Sequence, residues 1–371
     1  MTLYTDNLSG TALQAELDDI RRRLGLAALD EALRFPQYFQ IETVRVCNAR
    51  CPFCAVAQWD KTVPVMPDPL FERIAAELAE HADWVRVVMV QRAGEPLMDK
   101  KIVARVKRLK DAGIRRVTMS TNAALLTEAK AVALLEAGLD EIMFSIDSIE
   151  REEYEKLRVR LSFDTVMANI RRFFALRNRL RPDFLIRVRG VCFLDPASSH
   201  DRPRISRWLH AWDDQRLPHD RIYFKRPHNW GNQHAFDGVP PYEEVFHPCV
   251  LPWSTLHVTT MGLVPLCPQD FDARMSLGDV NRDSIAAVWR GEGFARVRRL
   301  HREGKRGEIS FCRGCRLFDE DAHLEKKLDA LADESGSDAP LPAGARVGSD
   351  LSLPPPASGG GPGWGDRNEA T

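Results

Sequence analysis

The residues most able to do chemistry in this 371-residue chain are its eight cysteines, and they fall in three places. Cys47, Cys51 and Cys54 form a C-x3-C-x2-C run. Cys249, Cys267, Cys312 and Cys315 lie in the last third, the final two as C-x2-C, and Cys192 stands alone. Thiolates three to four residues apart on a loop converge on one iron–sulfur cubane, whose usual ligand is cysteine. Three cysteines leave one iron of such a cubane without a protein ligand. A small molecule can coordinate there, so the first run points to reactivity rather than storage. A zinc knuckle short of a ligand, or buried structural cysteines, is the alternative reading. The later four form a complete set for zinc or for a cluster, and spacing alone leaves the two open.

The elements that must position these thiols show as short apolar runs alternating with helical stretches. FQIETVRV is strand-like and leads into Cys47. A helix over 68–82 precedes the strand WVRVVMV. A helix over 99–112 stops at Gly113 before RRVTMST, and one over 127–137 stops at Gly138 before EIMFSID. A helical region over about 150–180 leads to FLIRVRGVCFL, read as a sixth strand. Such alternation implies parallel strands joined by right-handed crossover helices. The expected fold class is α/β, a partial (β/α)6 TIM-like barrel, short of the eight units that close one. In RVRGVCF, Arg187, Arg189 and Val191 share one face and Val188, Gly190 and Cys192 the other. Periodicity leaves open which face looks inward. An inward Arg189 suits a hydroxylated or anionic substrate, and an outward one a helix-facing salt bridge. Cys192 is either a hydrogen-atom donor or a packed core residue.

Five segments follow: a helical extension over 1–37, the barrel over 38–195, a bridge or lid over 196–248, a small cysteine domain over 249–330, and a tail over 331–371. The bridge is rich in Pro, His, Trp and Arg. It carries His228, Asn229, Trp230 and His234, fit to cover the mouth of the barrel. The tail is mostly Ser, Gly, Pro, Asp and Ala and is expected to be disordered. Hydrophobic residues make up 44% of the chain, enough for a sizeable core, and 52 Lys and Arg nearly balance 53 Asp and Glu. No global charge argues for nucleic acid or an anionic membrane. The N-terminus has no basic region followed by an apolar run, and no stretch approaches the ~18 apolar residues of a spanning helix. A soluble cytoplasmic protein is expected, a setting in which clustered cysteines read as metal ligands or catalytic groups rather than disulfides.

With these motifs in this order, residues 38–320 resemble the radical S-adenosylmethionine superfamily. In that family the open iron of the [4Fe-4S] cluster chelates the cofactor, whose cleavage yields a 5′-deoxyadenosyl radical. The resemblance implies that Cys47, Cys51 and Cys54 hold that cluster and that Phe53 lies near the adenine. Arg92-Ala-Gly94-Glu95-Pro96 is similar to the family's Gly-Gly-Glu-Pro motif, with Ala93 in place of the first glycine. Gly94, Glu95 and Pro96 are thereby implied to meet the methionine amino group. Ser120, Asn122, Ser145 and Asp147 match ribose-contacting positions, and Arg158 one that pairs with the cofactor carboxylate. Polar groups at C-terminal strand ends face the mouth of a parallel barrel, where such folds place their sites. From the residues alone, the four polar ones can also be read as helix caps and Arg158 as a solvated charge.

Residues 249–320, with HNWGN (228–232), CVLPW (249–253) and LGDVN (277–281), resemble the twitch domain, a shortened SPASM domain. In LGDVN, Asp279 and Asn281 read as turn residues. No cysteine follows Cys315, so the resemblance implies one auxiliary [4Fe-4S] cluster ligated by Cys249, Cys267, Cys312 and Cys315. Full ligation implies an electronic role and a net two-electron oxidation. Twitch enzymes of this spacing include dehydrogenases that oxidise a secondary alcohol of an aminocyclitol, and the wider group also handles peptides and sugars. The expected protein is therefore a radical oxidoreductase on a small sugar or cyclitol, served by an external donor such as flavodoxin or ferredoxin. A peptide-modifying enzyme and a sugar epimerase or dehydratase are the alternatives, with a zinc-binding interaction protein as a third class.

Overall fold

Residues 10–196, 198–225, 227–228, 230–231 and 247–315 are described by a computed structural model. The tail and most of the segment around His234 lie outside the described residues. In chain order come α1 (Gly10–Arg23), β1 (Tyr38–Ile41), α2 (Asp68–Glu80), β2 (Val87–Met89), α3 (Ile102–Asp111), β3 (Val117–Thr121), α4 (Glu128–Glu136) and β4 (Glu141–Ser145). Then follow α5 (Arg151–Leu157), α6 (Phe163–Leu180), β5 (Leu185–Val191), α7 (Arg202–His210) and β6 (Arg221–Lys225). The C-terminal part holds α8 (Leu251–Ser254), β7 (Thr255–Val258), β8 (Leu263–Pro265), β9 (Ser276–Asp279), α9 (Ile285–Arg290) and α10 (Glu292–Arg302).

Among the described residues seven strands form one parallel sheet in the order β6-β5-β4-β3-β2-β1-β7. Parallel strands are covered on both faces, and β3 accordingly is buried along its whole length. The partial barrel of alternating strands and helices is thus present, with helices α3 and α4 ending before Gly113 and Gly138 as expected. One expectation needs correction. FLIRVRGVCFL supplies the fifth strand, and the sixth is Arg221–Lys225, inside the stretch expected as a bridge. The C-terminal segment also contributes a strand to the sheet. β7 pairs in parallel with β1, Tyr38 opposite Thr255 through Ile41 opposite Val258, and β8 and β9 form a separate antiparallel pair.

The sixth strand, RIYFK, is short and follows a polar stretch, so its sequence carries little strand signal. Its anchor is tertiary. Arg177 of α6 is fully buried and grips both carboxylate oxygens of Asp220, just before β6. Asp220 also accepts from the amides of Ile186 at 2.9 Å and Leu217 at 2.7 Å, so one carboxylate ties α6, β5 and the approach to β6 together. The core between α6 and the sheet is aromatic, with Phe173 edge-on to Phe144 at 5.5 Å and to Phe184 at 5.5 Å. At the other edge the N-terminal extension wraps the C-terminal segment: Leu17, Ile20 and Leu24 pack with Trp253, and Trp289 Nε1 donates to the Ala32 carbonyl at 2.8 Å.

Candidate active site

The loop after β1 carries Cys47, Cys51 and Cys54 into a cavity of about 190 Å³ at the C-terminal ends of the strands. The Cys54 amide donates to the Cys51 carbonyl at 3.1 Å, and the Ala49 amide reaches Cys47 Sγ at 3.4 Å. Burial pushes the Cys47 thiol up to about 11 and Cys54 to about 12, and raises Cys51 against the pull of Arg158. Neighbouring thiolates raise Cys47 and Cys54 further, so the three sulfurs share one neighbourhood. Among the described residues no three His, Cys, Asp or Glu side chains are drawn together as for a single ion. Three thiols around an open space are the donor set of a multi-iron cubane, and the residues present fit one.

The loop after β2 closes the cavity on one side. Gly94 adopts φ +68°, and a Cβ there would stand 2.6 Å from the Val44 carbonyl and 2.8 Å from that of Val46. That close approach lets the Glu95 amide donate to Val46 at 2.9 Å and stitches this loop to the cysteine loop. The Glu95 carboxylate is buried and accepts from Thr121 Oγ1 at 2.6 Å, the Asn122 amide at 2.8 Å and the Leu97 amide at 3.1 Å. Burial raises its carboxyl above the usual range against those three donors. Asn122 Nδ2 donates to Asn48 Oδ1 at 2.8 Å, beside Cys47 Sγ at 3.9 Å, and the Ser120 and Ser145 hydroxyls lie 3.4 Å apart.

Phe53, Gly94, Glu95, Ser120, Asn122, Ser145 and Arg158 all line the cavity, whereas Pro96, Asp147 and Cys192 do not. Asp147 instead takes a bidentate grip from Arg158, at 2.5 and 3.0 Å, and the Val191 amide at 2.8 Å. Both its oxygens are engaged, so it acts as a brace. Arg158 keeps one terminal nitrogen toward Cys51 Sγ at 3.8 Å, and its guanidinium lies 5.4 Å from the Phe53 ring centre. The face question on β5 is settled. Arg189 and Val191 line the cavity, while Val188 is buried in the core against the helices. Cys192 packs against that core, its thiol directed at the Leu194 carbonyl at 3.5 Å. Arg187 pairs with Glu141 at 2.7 Å.

His228 and Trp230 also line the cavity; Asn229 and His234 lie outside the described residues. Trp230 Nε1 donates to the Phe53 carbonyl at 2.9 Å, and its backbone amide to His228 Nδ1 at 3.3 Å. Burial, with the charges of Lys225 and Arg189, pulls His228 down to about 4. Its ring is therefore neutral at physiological pH, with Nδ1 the acceptor and Nε2 the protonated donor.

The remaining four cysteines stand away from the cavity. Burial drives Cys267 well up and Cys312 to about 12; the charges of Cys312 and Cys315 add to the first, those of Cys249 and Cys315 to the second. The four thus converge on one site and fit a second cluster. A buried ionic network, absent from the sequence reading, joins the two sites. Glu42, just after β1, pairs with Arg45 at 3.2 Å and Arg92 at 3.3 Å. Arg92 donates to the carbonyls of Asp270 and of Phe271, and Arg45 reaches Phe271 at 2.6 Å. The Asp270 amide in turn bonds the Cys267 carbonyl at 3.2 Å. The available signal was three charged residues beside otherwise apolar strands; the carbonyls that the two arginines meet lie about two hundred positions away.

Residues 41–185 match the model of the Radical SAM superfamily, and residues 249–316 that of the SPASM iron–sulfur cluster-binding domain. The chain is 26% identical over 212 residues to an uncharacterized protein of Methanocaldococcus jannaschii, covering 57% of this chain and 66% of that one. It is 21% identical over 277 residues to the S-adenosyl-L-methionine-dependent 2-deoxy-scyllo-inosamine dehydrogenase of Niallia circulans, covering 74% and 91%. The chain spans about half to two thirds of the length of the first curated relatives it matches. Among solved structures, BtrN in complex with AdoMet and 2-DOIA aligns with TM-score 0.52 at 18% identity over 75% of this chain and 92% of that one. Streptococcus suis SuiB bound to its precursor peptide SuiA aligns with TM-score 0.54 at 13% identity over 80% and 75%. At these identities both show the shared fold. The chain belongs to the radical SAM superfamily, with a C-terminal SPASM domain, and its cofactors are S-adenosylmethionine, a [4Fe-4S] cluster and an auxiliary cluster.

Proposed function

We propose that this protein is a radical oxidoreductase that removes a hydrogen atom, a proton and an electron from a hydroxylated, carbohydrate- or cyclitol-like substrate. One observation carries the reading. Three thiols, Cys47, Cys51 and Cys54, open onto the cavity, while Cys249, Cys267, Cys312 and Cys315 form a complete set apart from it. When bound, S-adenosylmethionine and its cluster supply the hydrogen-abstracting radical, and the auxiliary cluster a one-electron sink. The epimerase and dehydratase alternatives have no use for such a sink, because they are redox-neutral overall.

The chain's own residues bind, orient and exclude water. Gly94 lets the backbone approach the cavity, and Glu95 holds the ends of β3 in place through Thr121 and Asn122. Arg158, fixed by Asp147, presents one guanidinium nitrogen beside Cys51, suited to a carboxylate. Arg189 lines the cavity and its side chain makes no ion pair or hydrogen bond among the described residues, which leaves the guanidinium for substrate oxygens. His228 Nε2–H adds a neutral donor next to it. The Trp230 indole, pinned to Phe53, covers the apolar side of the first cysteine loop. A flavodoxin or ferredoxin supplies the initiating electron.

The test is iron and labile sulfide after anaerobic reconstitution, with reductive cleavage of S-adenosylmethionine measured on the same samples. About eight irons are expected in the wild type, and about four with no cleavage in Cys47→Ala/Cys51→Ala/Cys54→Ala, since each cubane holds four. Four irons in the wild type and none in the variant would remove the electron acceptor and the oxidoreductase reading with it.

A further inference from the structure

Arg306 is buried with no counter-ion among the described residues. Its exposure is 2%, and no Asp or Glu pairs with it among the described residues. Its three nitrogens go to backbone carbonyls: Nε to Cys312 at 3.4 Å, one terminal nitrogen to His247 at 2.6 Å, and the other to Cys315. Carbonyls satisfy the donors but leave the charge uncompensated, and burying an unpaired charge is costly. The other deeply buried arginines show the usual remedy. Arg45 and Arg92 share Glu42, Arg105 meets Asp99, and Arg177 meets Asp220. Arg298, also bonded to carbonyls, stacks on Trp289 at 4.3 Å and Phe294 at 5.1 Å. Among the described residues Arg306 has neither remedy.

What it grips is the backbone of the C-terminal cysteines. Two of its acceptors belong to cysteines of the C-x2-C turn, and the charge of Arg306 bears on the Cys312 thiol. On the same side, His301 Nδ1 accepts from the Cys249 amide at 3.0 Å. Neutral thiols leave the guanidinium uncompensated; thiolates on iron compensate it. We propose that Arg306 is the counter-charge of the auxiliary cluster, a positioning residue that clamps the Cys312–Cys315 turn and raises the cluster's reduction potential. A cubane on four thiolates is anionic and gains one further negative charge when reduced. A fixed positive charge beside it therefore favours the reduced form, as charge and hydrogen bonding around such clusters do generally. The effect makes the site a readier acceptor of a substrate's electron. This inference rests on the proposal above that Cys249, Cys267, Cys312 and Cys315 hold a cluster.

The experiment is an EPR-monitored redox titration of the full chain, reconstituted anaerobically in a Cys47→Ala/Cys51→Ala/Cys54→Ala background so that only the auxiliary cluster reports. Arg306→Gln removes the charge, and Arg306→Lys keeps it while losing the fork. At the midpoint of the Arg306-containing protein, Arg306→Gln should lower the reduced-to-oxidised ratio about tenfold, ~59 mV for a one-electron couple. Arg306→Lys should stay within about twofold, a smaller charge displacement in the same relation. Loss of iron in Arg306→Gln with a near-normal midpoint in Arg306→Lys would equally assign the role to charge. An unmoved midpoint in Arg306→Gln, an equal shift in both variants, or loss of iron from both would overturn it. Absence of any cluster when Arg306 is intact would instead sink the underlying assignment of the four cysteines.

Discussion

At the scale of single residues, Gly94 and Glu95 do different work although they are adjacent. Glu95 is a hub of three donors, and Gly94 is what lets the hub stand where it does. Gly94→Ala forces a side chain into left-handed backbone and against two carbonyls that hold the cysteine loop. The backbone strain alone is worth roughly 1–3 kcal/mol. Urea denaturation should show a loss of at least that size, and calorimetry on the reconstituted protein a weaker affinity for S-adenosylmethionine. An unchanged midpoint with unchanged affinity would mean that the Val44 and Val46 carbonyls are not held as described. The first three cysteines were visible from their spacing, and Glu95 from the resemblance of its motif. Arg92 was visible only as part of a motif, because its partners at Asp270 and Phe271 lie 178 and 179 positions away.

At the scale of elements, the attachment of β6 depends on one carboxylate. Asp220 neutralises Arg177 and caps the amides of Ile186 and Leu217. Asp220→Ala leaves a buried guanidinium uncompensated, a change that costs roughly 3–5 kcal/mol. The loss should appear as a lower thermal midpoint together with faster hydrogen exchange at the Ile186 amide. Exchange unchanged at Ile186 would mean that β5 and β6 hold without the clamp. Strand β5 shows what periodicity can do and where it stops. Alternation correctly separated Arg187, Arg189 and Val191 from Val188 and Gly190, but the inward side depended on where α6 and the first cysteine loop pack.

At the scale of the whole molecule, two clusters of polar chemistry are bound by one buried ionic network and by β7 pairing with β1, so the two cysteine sites form one structure. Burial also keeps histidines neutral across it. His228 is held at about 4, and His257 of β7, buried against β1 beside Gln40, well below its ordinary 6.5. Both groups take a proton at their usual pKa only when unfolded. Their contribution to stability is complete above about pH 6.5 and is lost as pH falls toward the folded values. The urea midpoint should therefore drop between pH 7 and pH 5. His257→Gln should lessen that drop by up to one proton's share, about 1.4 kcal/mol per pH unit. A pH dependence identical in wild type and His257→Gln would show that His257 titrates normally.

Cysteine spacing, the alternation of strand and helix, and the Gly-Glu-Pro turn were determined by the sequence itself. Each is a local property: backbone geometry dictates which side chains three or four residues apart meet, and which stretches bury an apolar face. The tertiary structure alone decided the sixth strand at Arg221–Lys225, the seventh contributed by Thr255–Val258, and the turning of Asp147 from the cavity to Arg158. It alone placed Arg306 over the last two cysteines. These are choices of partner among groups far apart in the chain. A short strand or a buried charge carries no mark of which distant carboxylate, carbonyl or thiolate will meet it until the packed core brings them together.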